Sequence, residues 1–206
     1  MGLRHGCCGG GLSRAELRRR KLIDTARRLF TDNGFHATGI AQIARDSGIA
    51  VGQIYRDFQS KEDIVAALVE TDCATYMAAE AMNEAIRAGD AAAVRAWLRH
   101  FVEPDEELGE GRMFAEIVAE ASRNDRIAAI FTTVQDRLKA NIMAALALLA
   151  PGDALAGRRA LLADAIMALS LGLLQYQLMR PGLDVTALAG SLQAMIDREL
   201  QALAGG

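Results

Sequence analysis

The sequence predicts an all-helical protein of about nine helices, and three observations support that fold class. Apolar residues make up 51% of the 206 residues and only three residues are proline, so little interrupts a helix. Over long stretches the apolar residues recur at helical spacings of three and four. The breaks between those stretches contain glycine, proline or capping residues, and no stretch alternates apolar and polar residues as a half-buried strand does.

Capping signals place three helices in the first sixty residues. Ser13 is an N-cap with Glu16 three residues on, and Gly34 follows the last residue of that helix. Thr38 can cap a short second helix, which Gly48 ends, and a third helix follows after a short turn. The predicted ranges are 13–33, 39–46 and 51–58.

The rest of the chain predicts six further helices. Ser60 caps the first of them, and Asp63 completes a capping box. The later breaks read AGD, EPDEELGEG, SRND, APGD and RPGLD, which are rich in residues that end or begin helices. The predicted ranges are 61–88, 90–102, 107–122, 125–149, 154–179 and 185–203.

The charges are unevenly distributed along the chain. The overall net charge of −3 by itself argues against a nucleic-acid-binding protein. Residues 1–62, however, hold 11 Lys and Arg against six Asp and Glu, whereas residues 63–206 have a net charge of −8. A basic N-terminal region on an acidic body indicates that the N-terminal region alone meets a polyanion.

The first twelve residues, rich in glycine, predict a disordered leader. Three cysteines do not make a disulfide framework, which fits a reducing cytoplasm, and Cys7 and Cys8 have no further ligands at zinc spacing. We therefore expect no metal site. The apolar run IMALSLGLL at 166–174 is shorter than the roughly 20 residues that a membrane span needs, and the N-terminus lacks the apolar core of a signal peptide, so we expect no membrane association.

Two short predicted helices joined by DSGIA have the frame of a helix-turn-helix, whose second helix enters the major groove of DNA. The exposed face of that helix carries Val51, Gly52, Gln53, Tyr55 and Arg56. Gln53 can form two hydrogen bonds with an adenine edge, Val51 can contact a thymine methyl group, and the other two side chains can reach phosphates or bases. Gly52 costs about 1 kcal/mol against Ala inside a helix. It therefore indicates close approach of the backbone to DNA.

Lys61 opens the fourth helix, where the backbone already presents partial positive charge. A cation is mildly unfavourable there by itself, but a phosphate would bind the lysine and the free backbone N–H groups together. The same reasoning applies to Thr38 at the start of the second helix. The alternative is that Lys61 is simply solvated and Ser60 does the capping.

Residues 22–64, LIDTARRLFTDNGFHATGIAQIARDSGIAVGQIYRDFQSKEDI, resemble the DNA-binding region of the TetR family of transcriptional repressors. The agreement runs in one register through A--LF---G, AT, IA, SGI, G-IY--F and SKE. The resemblance implies a DNA-binding head at 13–60 and a body at 61–206 that binds a small ligand and dimerises. It also implies phosphate or base contacts for Thr38, Gln53, Tyr55 and Lys61.

Three positions depart from the family pattern. Gly39 lies in the DNA-facing set but stands where a second small hydroxyl residue is usual, which removes a phosphate contact. Ala50 replaces a frequent serine cap, at a cost of about 0.5–2 kcal/mol. Asp57 replaces a common histidine or tyrosine that meets phosphate. Because a carboxylate repels phosphates, we expect Asp57 to point aside and pair with Arg56 or Arg27.

The resemblance places an effector cavity among helices four to eight. An aromatic and methionine lining in an acidic body suits a hydrophobic ligand, cationic ones included. For each residue the competing interpretation is ordinary core packing, and for His100 it is a hydrogen-bonded structural role. The candidate lining residues are Tyr76, Trp97, His100, Phe101, Met113, Phe114, Ile117, Val134, Leu138 and Leu174.

The last two helices predict the dimer interface. Small residues on one helix and an amphipathic partner favour a four-helix bundle about a two-fold axis, with the two heads spanning half-sites on DNA. The candidate interface residues are Ala165, Ala168, Leu169, Gly172, Leu173, Tyr176, Leu192, Met195 and Ile196.

The leading hypothesis is a cytoplasmic, ligand-responsive repressor that binds a palindromic operator as a homodimer and is released by a small effector. The alternatives are a scaffold with a vestigial head, or a helical small-molecule-binding protein or enzyme with no DNA role. The sequence holds no HExxH or ExxH pair and no phosphate-binding loop after a strand. We therefore expect neither enzymatic activity nor a cofactor.

Overall fold

The computed structural model describes residues 13–77, 79–104 and 109–204, with side chains described outside 72–80, 109–110 and 204. The chain divides into two compact units, one up to Ile64 and one from Val65 onward, here termed the head and the body. The first turn of the fourth helix thus groups with the head, whereas the sequence-based boundary lies at 60 and 61. The predicted leader lies outside the described residues.

The described residues form helices joined by turns and contain no strand, so the all-α prediction is confirmed. Apart from the fourth predicted helix, observed as two segments on either side of residue 78, the predicted bounds agree to within two residues. The elements are α1 Arg14–Asn33, α2 Ile40–Ser47, α3 Val51–Asp57, α4 Lys61–Met77, α5 Ala79–Ala88, α6 Ala91–His100, α7 Gly109–Ala121, α8 Asp125–Leu149, a 3-10 turn Asp153–Leu155, α9 Ala156–Met179 and α10 Val185–Ala204.

Local signals set the bounds of the head helices. The predicted capping box of α1 is present: the Ser13 hydroxyl accepts from the Glu16 backbone N–H at 3.2 Å, and the Glu16 carboxylate accepts from the Ser13 N–H at 2.7 Å. Gly48 ends α2 in the left-handed conformation, at φ 67°. Ala50 precedes α3 and supplies no side-chain cap.

The three head helices bury one apolar core. Fully burying a large apolar side chain contributes about 1.5–3 kcal/mol, so this core is what gathers short helices into a unit. Its residues are Leu22, Ile23, Ala26, Leu29, Phe30, Phe35, Ile43, Ala44, Ile49, Ile54, Phe58 and Ile64.

The body packs α5 to α10 around a second core, with α8 in contact with α5, α6, α7 and α9. The guanidinium of the buried Arg159 closes the α8–α9 turn, because its Nη1 donates to the carbonyls of Ala150 at 2.7 Å and Gly152 at 2.8 Å. An ion pair between Arg99 and Asp197 joins α6 to α10. The buried members of this core are Met82, Val94, Trp97, Leu98, Phe101, Val102, Ile142, Ala145, Leu146, Ala163, Ile166, Leu173, Ala189, Ile196 and Leu200.

Helix α9 and the turn before it are more apolar than the longest uninterrupted run suggested. Within the described residues, Asp153–Met179 is the stretch long and apolar enough to cross a membrane by length and composition, with a mean hydropathy of 1.4 over 18 residues. The sequence-based expectation concerned uninterrupted apolar runs, whereas a window average tolerates the isolated polar residues that interrupt a run, so the expectation of no membrane association stays a prediction. Only 17% of that window is buried within one chain.

Candidate functional site

Helix α3 carries the residues predicted to read bases, and all of them reach the surface. Ile54 is fully buried, whereas Val51 and Tyr55 are 41% and 53% exposed. Gly52 and Arg56 are exposed too, and Gln53 is partly exposed. One buried residue therefore anchors the helix, and the five predicted residues lie around it on the accessible surface.

Backbone hydrogen bonds form the first turn of α3. The Ala50 carbonyl accepts from the N–H groups of Gln53 at 2.8 Å and Ile54 at 3.2 Å. In the preceding turn, the Ser47 hydroxyl accepts from the Ile49 N–H at 3.3 Å. The missing serine cap therefore leaves this end without a side-chain hydrogen bond.

Asp57, at the other end of α3, points aside as expected, but the predicted partners were wrong. Its carboxylate accepts two hydrogen bonds from Arg18 on α1, from Nε at 2.7 Å and from Nη2 at 2.8 Å. The hydrogen bonds from Arg18 lower the pKa of the Asp57 carboxyl below its usual value; the charges of Arg18, Arg19 and Arg56 add to that effect, and burial opposes it. The carboxylate is therefore ionised at neutral pH.

Thr38 has a different role from the one predicted. Its side chain is fully buried, and its hydroxyl is within hydrogen-bonding distance of two carbonyls, those of Leu29 at 3.1 Å and Gly34 at 3.0 Å. The N-cap of α2 is Gly39 instead, without a side-chain hydrogen bond. The threonine hydroxyl thus joins the end of α1 to the following turn and has no surface to offer a phosphate.

Lys61 is partly buried and hydrogen-bonded within the head rather than simply solvated, and its phosphate contact stays a prediction. Its ammonium donates to the carbonyls of Phe35 at 2.6 Å and Thr38 at 3.0 Å. It also lies 3.9 Å from the centre of the Phe35 ring, which favours a cation. Lys61 therefore joins the start of α4 to the turn between α1 and α2. The predicted capping box of Ser60 and Asp63 is confirmed by their reciprocal bonds.

Two exposed glycines border the candidate DNA-facing surface. A Cβ atom added at Gly39 or Gly52 would meet nothing within 4 Å, and neither residue has a positive φ. The packing of the chain itself therefore does not require glycine at either position.

Ion pairs within the head account for part of its basic charge. Asp46 pairs with Arg28 at 3.3 Å and lies 3.4 Å from Arg45, and Asp57 pairs with Arg18. The sequence indicated a basic surface but not which cations are paired. In the described part of the head, five exposed cations form none of these ion pairs, and Arg19 among them bonds the Asp57 carbonyl: Arg14, Arg19, Arg20, Lys21 and Arg56.

The candidate effector residues lie mostly in the interior of the body. Trp97 and Phe101 pack edge to face, with ring centres 4.7 Å apart, and both belong to the main core. His100 contacts Glu103 at 2.7 Å on an exposed face, in agreement with the structural interpretation. The side chain of Tyr76 lies outside the described set. Met113, Ile117 and Val134 are buried, and Phe114, Leu138 and Leu174 are partly buried.

The candidate dimer residues fall into two groups. Leu173 and Ile196 are buried in the chain's own core and so are unavailable to a partner, which corrects their assignment. Leu161 and Met179, at 73% and 69% exposure, are apolar surface residues that the sequence analysis missed. Ala165, Ala168, Gly172, Tyr176 and Met195 are exposed, and Leu169 and Leu192 are partly buried.

No group of three or more His, Cys, Asp or Glu side chains within the described residues is arranged to hold a metal ion. The polar contacts of the head instead join one helix to another. This arrangement suits a binding surface on a rigid scaffold.

Comparisons with known proteins agree with this geometry. Residues 22–68 match the family described as "Bacterial regulatory proteins, tetR family". The HTH-type transcriptional regulator UidR of Escherichia coli (strain K12) is 28% identical over 125 residues, which cover 56% of this chain and 58% of UidR. The match thus spans little more than half the length of that relative.

Solved structures extend the similarity to the body. Salmonella enterica GusR superposes with a TM-score of 0.68 at 21% identity, over 92% of this chain and 98% of GusR. A transcriptional regulator from Saccharomonospora viridis was solved in complex with choline. It superposes with a TM-score of 0.65 at 22% identity, over 87% of this chain and 95% of that regulator. At such identities the likeness concerns the fold.

The head motif, the sequence relatives and the shared fold lead to one assignment. The relatives are regulators rather than enzymes, which agrees with the expectation of no enzymatic activity. Over residues 22–68 the chain therefore matches the helix-turn-helix, DNA-binding region of the TetR family of transcriptional regulators.

Proposed function

We propose that the chain is a homodimeric repressor that binds a palindromic operator and leaves it when a small hydrophobic effector binds the body. One observation carries the proposal: α3 is buried through Ile54 alone and presents Val51, Gln53 and Tyr55 at the surface. A helix held in this way is suited to lie in a major groove.

The chemistry of this exposed set suits sequence reading more than general attraction to phosphate. Gln53 offers a donor and an acceptor for an adenine edge, and Val51 offers an apolar contact to a thymine methyl group. Arg56, together with Arg14, Arg20 and Lys21, supplies charge for the phosphates. Base contacts and phosphate contacts are therefore both available on the head.

The exposed apolar residues of α9 and α10 support a homodimer. Leu161, Met179 and Met195 are exposed, and an apolar stretch with so little burial requires a covering partner. A second copy suits this surface better than lipid does, because Asp164 on α9 forms an ion pair with Lys139 and charges at membrane depth are unfavourable. A two-fold dimer would present two copies of α3 to two half-sites.

The body supports a small hydrophobic effector, with cationic compounds included. Its net charge is negative, and Trp97, Phe101 and Phe114 provide aromatic rings that attract cations. The related fold from Saccharomonospora viridis was solved with choline, a cation of this class. Release from DNA requires that the effector bind the DNA-incompetent state more tightly than the competent one. Such a regulator acts on chromosomal DNA, and we place it in the cytoplasm.

Binding of the full-length protein to its own upstream DNA tests the proposal. Fluorescence anisotropy at moderate salt should show a specific complex that weakens as salt rises, with two chains per operator by analytical ultracentrifugation. Gln53→Ala should weaken specific binding about 5-fold to 150-fold, the range of one bidentate base contact. Gln59→Ala, a nearby exposed glutamine outside α3, is the matched control and should bind as the parent does. Absence of any specific complex would refute the proposed function.

The dimer surface has its own test. Leu161→Glu with Met179→Glu should shift the protein from dimer to monomer in sedimentation and abolish operator binding at nanomolar concentration. Leu17→Glu, which changes an exposed leucine on α1, is the control and should leave the dimer intact. Survival of the dimer in the double variant would show that another surface forms it.

A further inference from the structure

Four residues join α1 to the end of α3 and are here termed the α1–α3 clamp: Arg18, Arg19, Asp57 and Phe58. Arg18 donates two hydrogen bonds to the Asp57 carboxylate, at 2.7 and 2.8 Å. Arg19 donates from Nη1 to the Asp57 carbonyl at 3.1 Å, and its guanidinium carbon lies 4.3 Å from the centre of the Phe58 ring. The side chain, the backbone and the next ring are thus all held from α1.

A helix as short as α3 needs such contacts to keep one orientation. It has seven residues, too few to be stable alone, and Ala50 gives its first turn no side-chain cap. The buried Ile54 and Phe58 fix its position through apolar packing, which is non-directional. The two parallel bonds between Arg18 and Asp57 are directional, because a guanidinium meets a carboxylate in one plane.

The clamp also changes what the basic residues of α1 do. Arg18 and Arg19 stand in the run RRRK at 18–21, whose composition suggests attraction to phosphate. The side chain of Arg18 is 30% exposed and that of Asp57 15% exposed, so the pair is partly buried. A carboxylate placed in a DNA-binding head reduces non-specific attraction to DNA, and here it forms an ion pair with Arg18.

We propose that Asp57 is a positioning residue for sequence reading, which fixes the angle of α3 through Arg18 and Arg19 and so raises specific over non-specific DNA binding. This inference rests on the proposed function as an operator-binding protein. The charge of Asp57 and its position act in opposite directions. Its charge weakens every DNA complex, whereas its bonds favour only the complex in which Gln53 and Val51 meet the right bases.

Because these two effects are opposed, the direction in which operator affinity changes on substitution of Asp57 distinguishes them. In the full-length dimer, Asp57→Asn removes a negative charge and breaks the paired bonds. Electrostatics alone predicts tighter binding to every duplex. The proposal predicts that specific binding becomes weaker by about tenfold, the loss expected when a charge-assisted hydrogen bond is broken, while non-specific binding is unchanged or tighter.

Asp46→Asn is the matched control. Asp46 also lies in the head and also pairs with arginines, but at 3.3 and 3.4 Å, and it does not contact α3 through those pairs. Asp46→Asn removes the same negative charge, so the variant should bind the operator duplex and a non-specific duplex as tightly as the parent does, or more tightly. Measuring both duplexes below the melting temperature of each variant, with circular dichroism as a check of folding, separates orientation from simple unfolding.

A double-mutant cycle gives a second, independent test. Arg18→Lys keeps the charge but loses the planar pair of bonds, and it should lower the ratio of specific to non-specific affinity as Asp57→Asn does. Combining the two changes should lower the ratio no further than either alone. If Asp57→Asn binds operator as tightly as Asp46→Asn does, the positioning role is refuted. Failure of the parent protein to bind any operator would refute the proposed function instead.

Discussion

The head and the body reach a defined structure by different means. In the head, α2 and α3 have eight and seven residues, and directional polar contacts from Thr38, Lys61 and Asp57 join the elements. In the body, α8 and α9 have 25 and 24 residues and pack along a continuous apolar core. A long helix is oriented by many apolar contacts along its length, whereas a short one requires bonds with direction.

This difference changes how the family motif in the head is understood. Residues that a motif marks as functional include polar groups that hold the scaffold, and the two classes can be told apart only by their partners. Substitutions in the two regions sharpen the comparison.

Truncating a buried core side chain should lower the free energy of unfolding more than any other change, and by a similar amount in the head and in the body. Phe30→Ala in the head and Phe101→Ala in the body should each lower the free energy of unfolding by about 3–5 kcal/mol, because both rings are buried. Urea denaturation measures the change. Leu17→Ala, at an exposed site, should change it by less than about 0.5 kcal/mol. A loss below about 1 kcal/mol for either phenylalanine would contradict the described core.

Lys61→Met should have the next largest effect. It should lower the free energy of unfolding by about 2–3 kcal/mol, because it breaks two charge-assisted hydrogen bonds to the turn before α2. The measurement that discriminates is the dependence of DNA affinity on salt. A structural lysine leaves the slope of log affinity against log salt unchanged, whereas a phosphate contact lowers it by about one.

Lys21→Met, at an exposed site on α1, is the control for Lys61→Met and should show the reverse pattern. It should leave stability nearly unchanged and lower the salt slope. A reduced slope with unchanged stability for Lys61→Met would support the phosphate role predicted from the sequence.

Thr38→Val should destabilise the head by about 1–2 kcal/mol, because the carbonyls of Leu29 and Gly34 lose the buried hydroxyl as a hydrogen-bond partner. Thr133 is the matched residue in the body. Its hydroxyl also contacts a backbone carbonyl, that of Ala129 at 2.9 Å, but the residue is exposed. Thr133→Val should therefore change thermal stability little, and equal losses at the two sites would show that burial is not the deciding factor.

Gly52→Ala should change the free energy of unfolding least, and it should raise that free energy, whereas the preceding substitutions lower it. It should stabilise α3 by up to about 1 kcal/mol, since an added methyl group meets nothing within 4 Å and Ala is the better helix former. Gly190→Ala, inside α10, should stabilise the body similarly. Only Gly52→Ala should weaken operator binding in the anisotropy assay. Unchanged affinity would show that DNA does not approach the backbone there.

Rules based on neighbouring residues predicted the helices and their caps. They failed for side chains whose hydrogen-bond partners lie far away in the sequence. The capping boxes at Ser13 and Ser60 join residues three apart, so the sequence contains both partners. The partner of Asp57 is 39 residues away, and those of Lys61 are 26 and 23 residues away. No spacing rule links such residues.

The dimer candidates failed in a related way. Helix α9 is apolar over most of its surface, so periodicity does not separate the side that faces α8 from the side left exposed. Leu173 and Leu161 look alike in the sequence, yet one is buried and the other is 73% exposed.

By itself the sequence determined the all-helical class, the helix bounds, the capping boxes and the set of residues exposed on α3, because these follow from side-chain periodicity and from contacts within one helical turn. Tertiary structure alone decided which cations are free to meet DNA, which hydroxyl is buried and which apolar face stays uncovered. Hydrogen bonds and burial depend on distance in space, and folding brings together residues whose separation along the chain carries no sign of their contact.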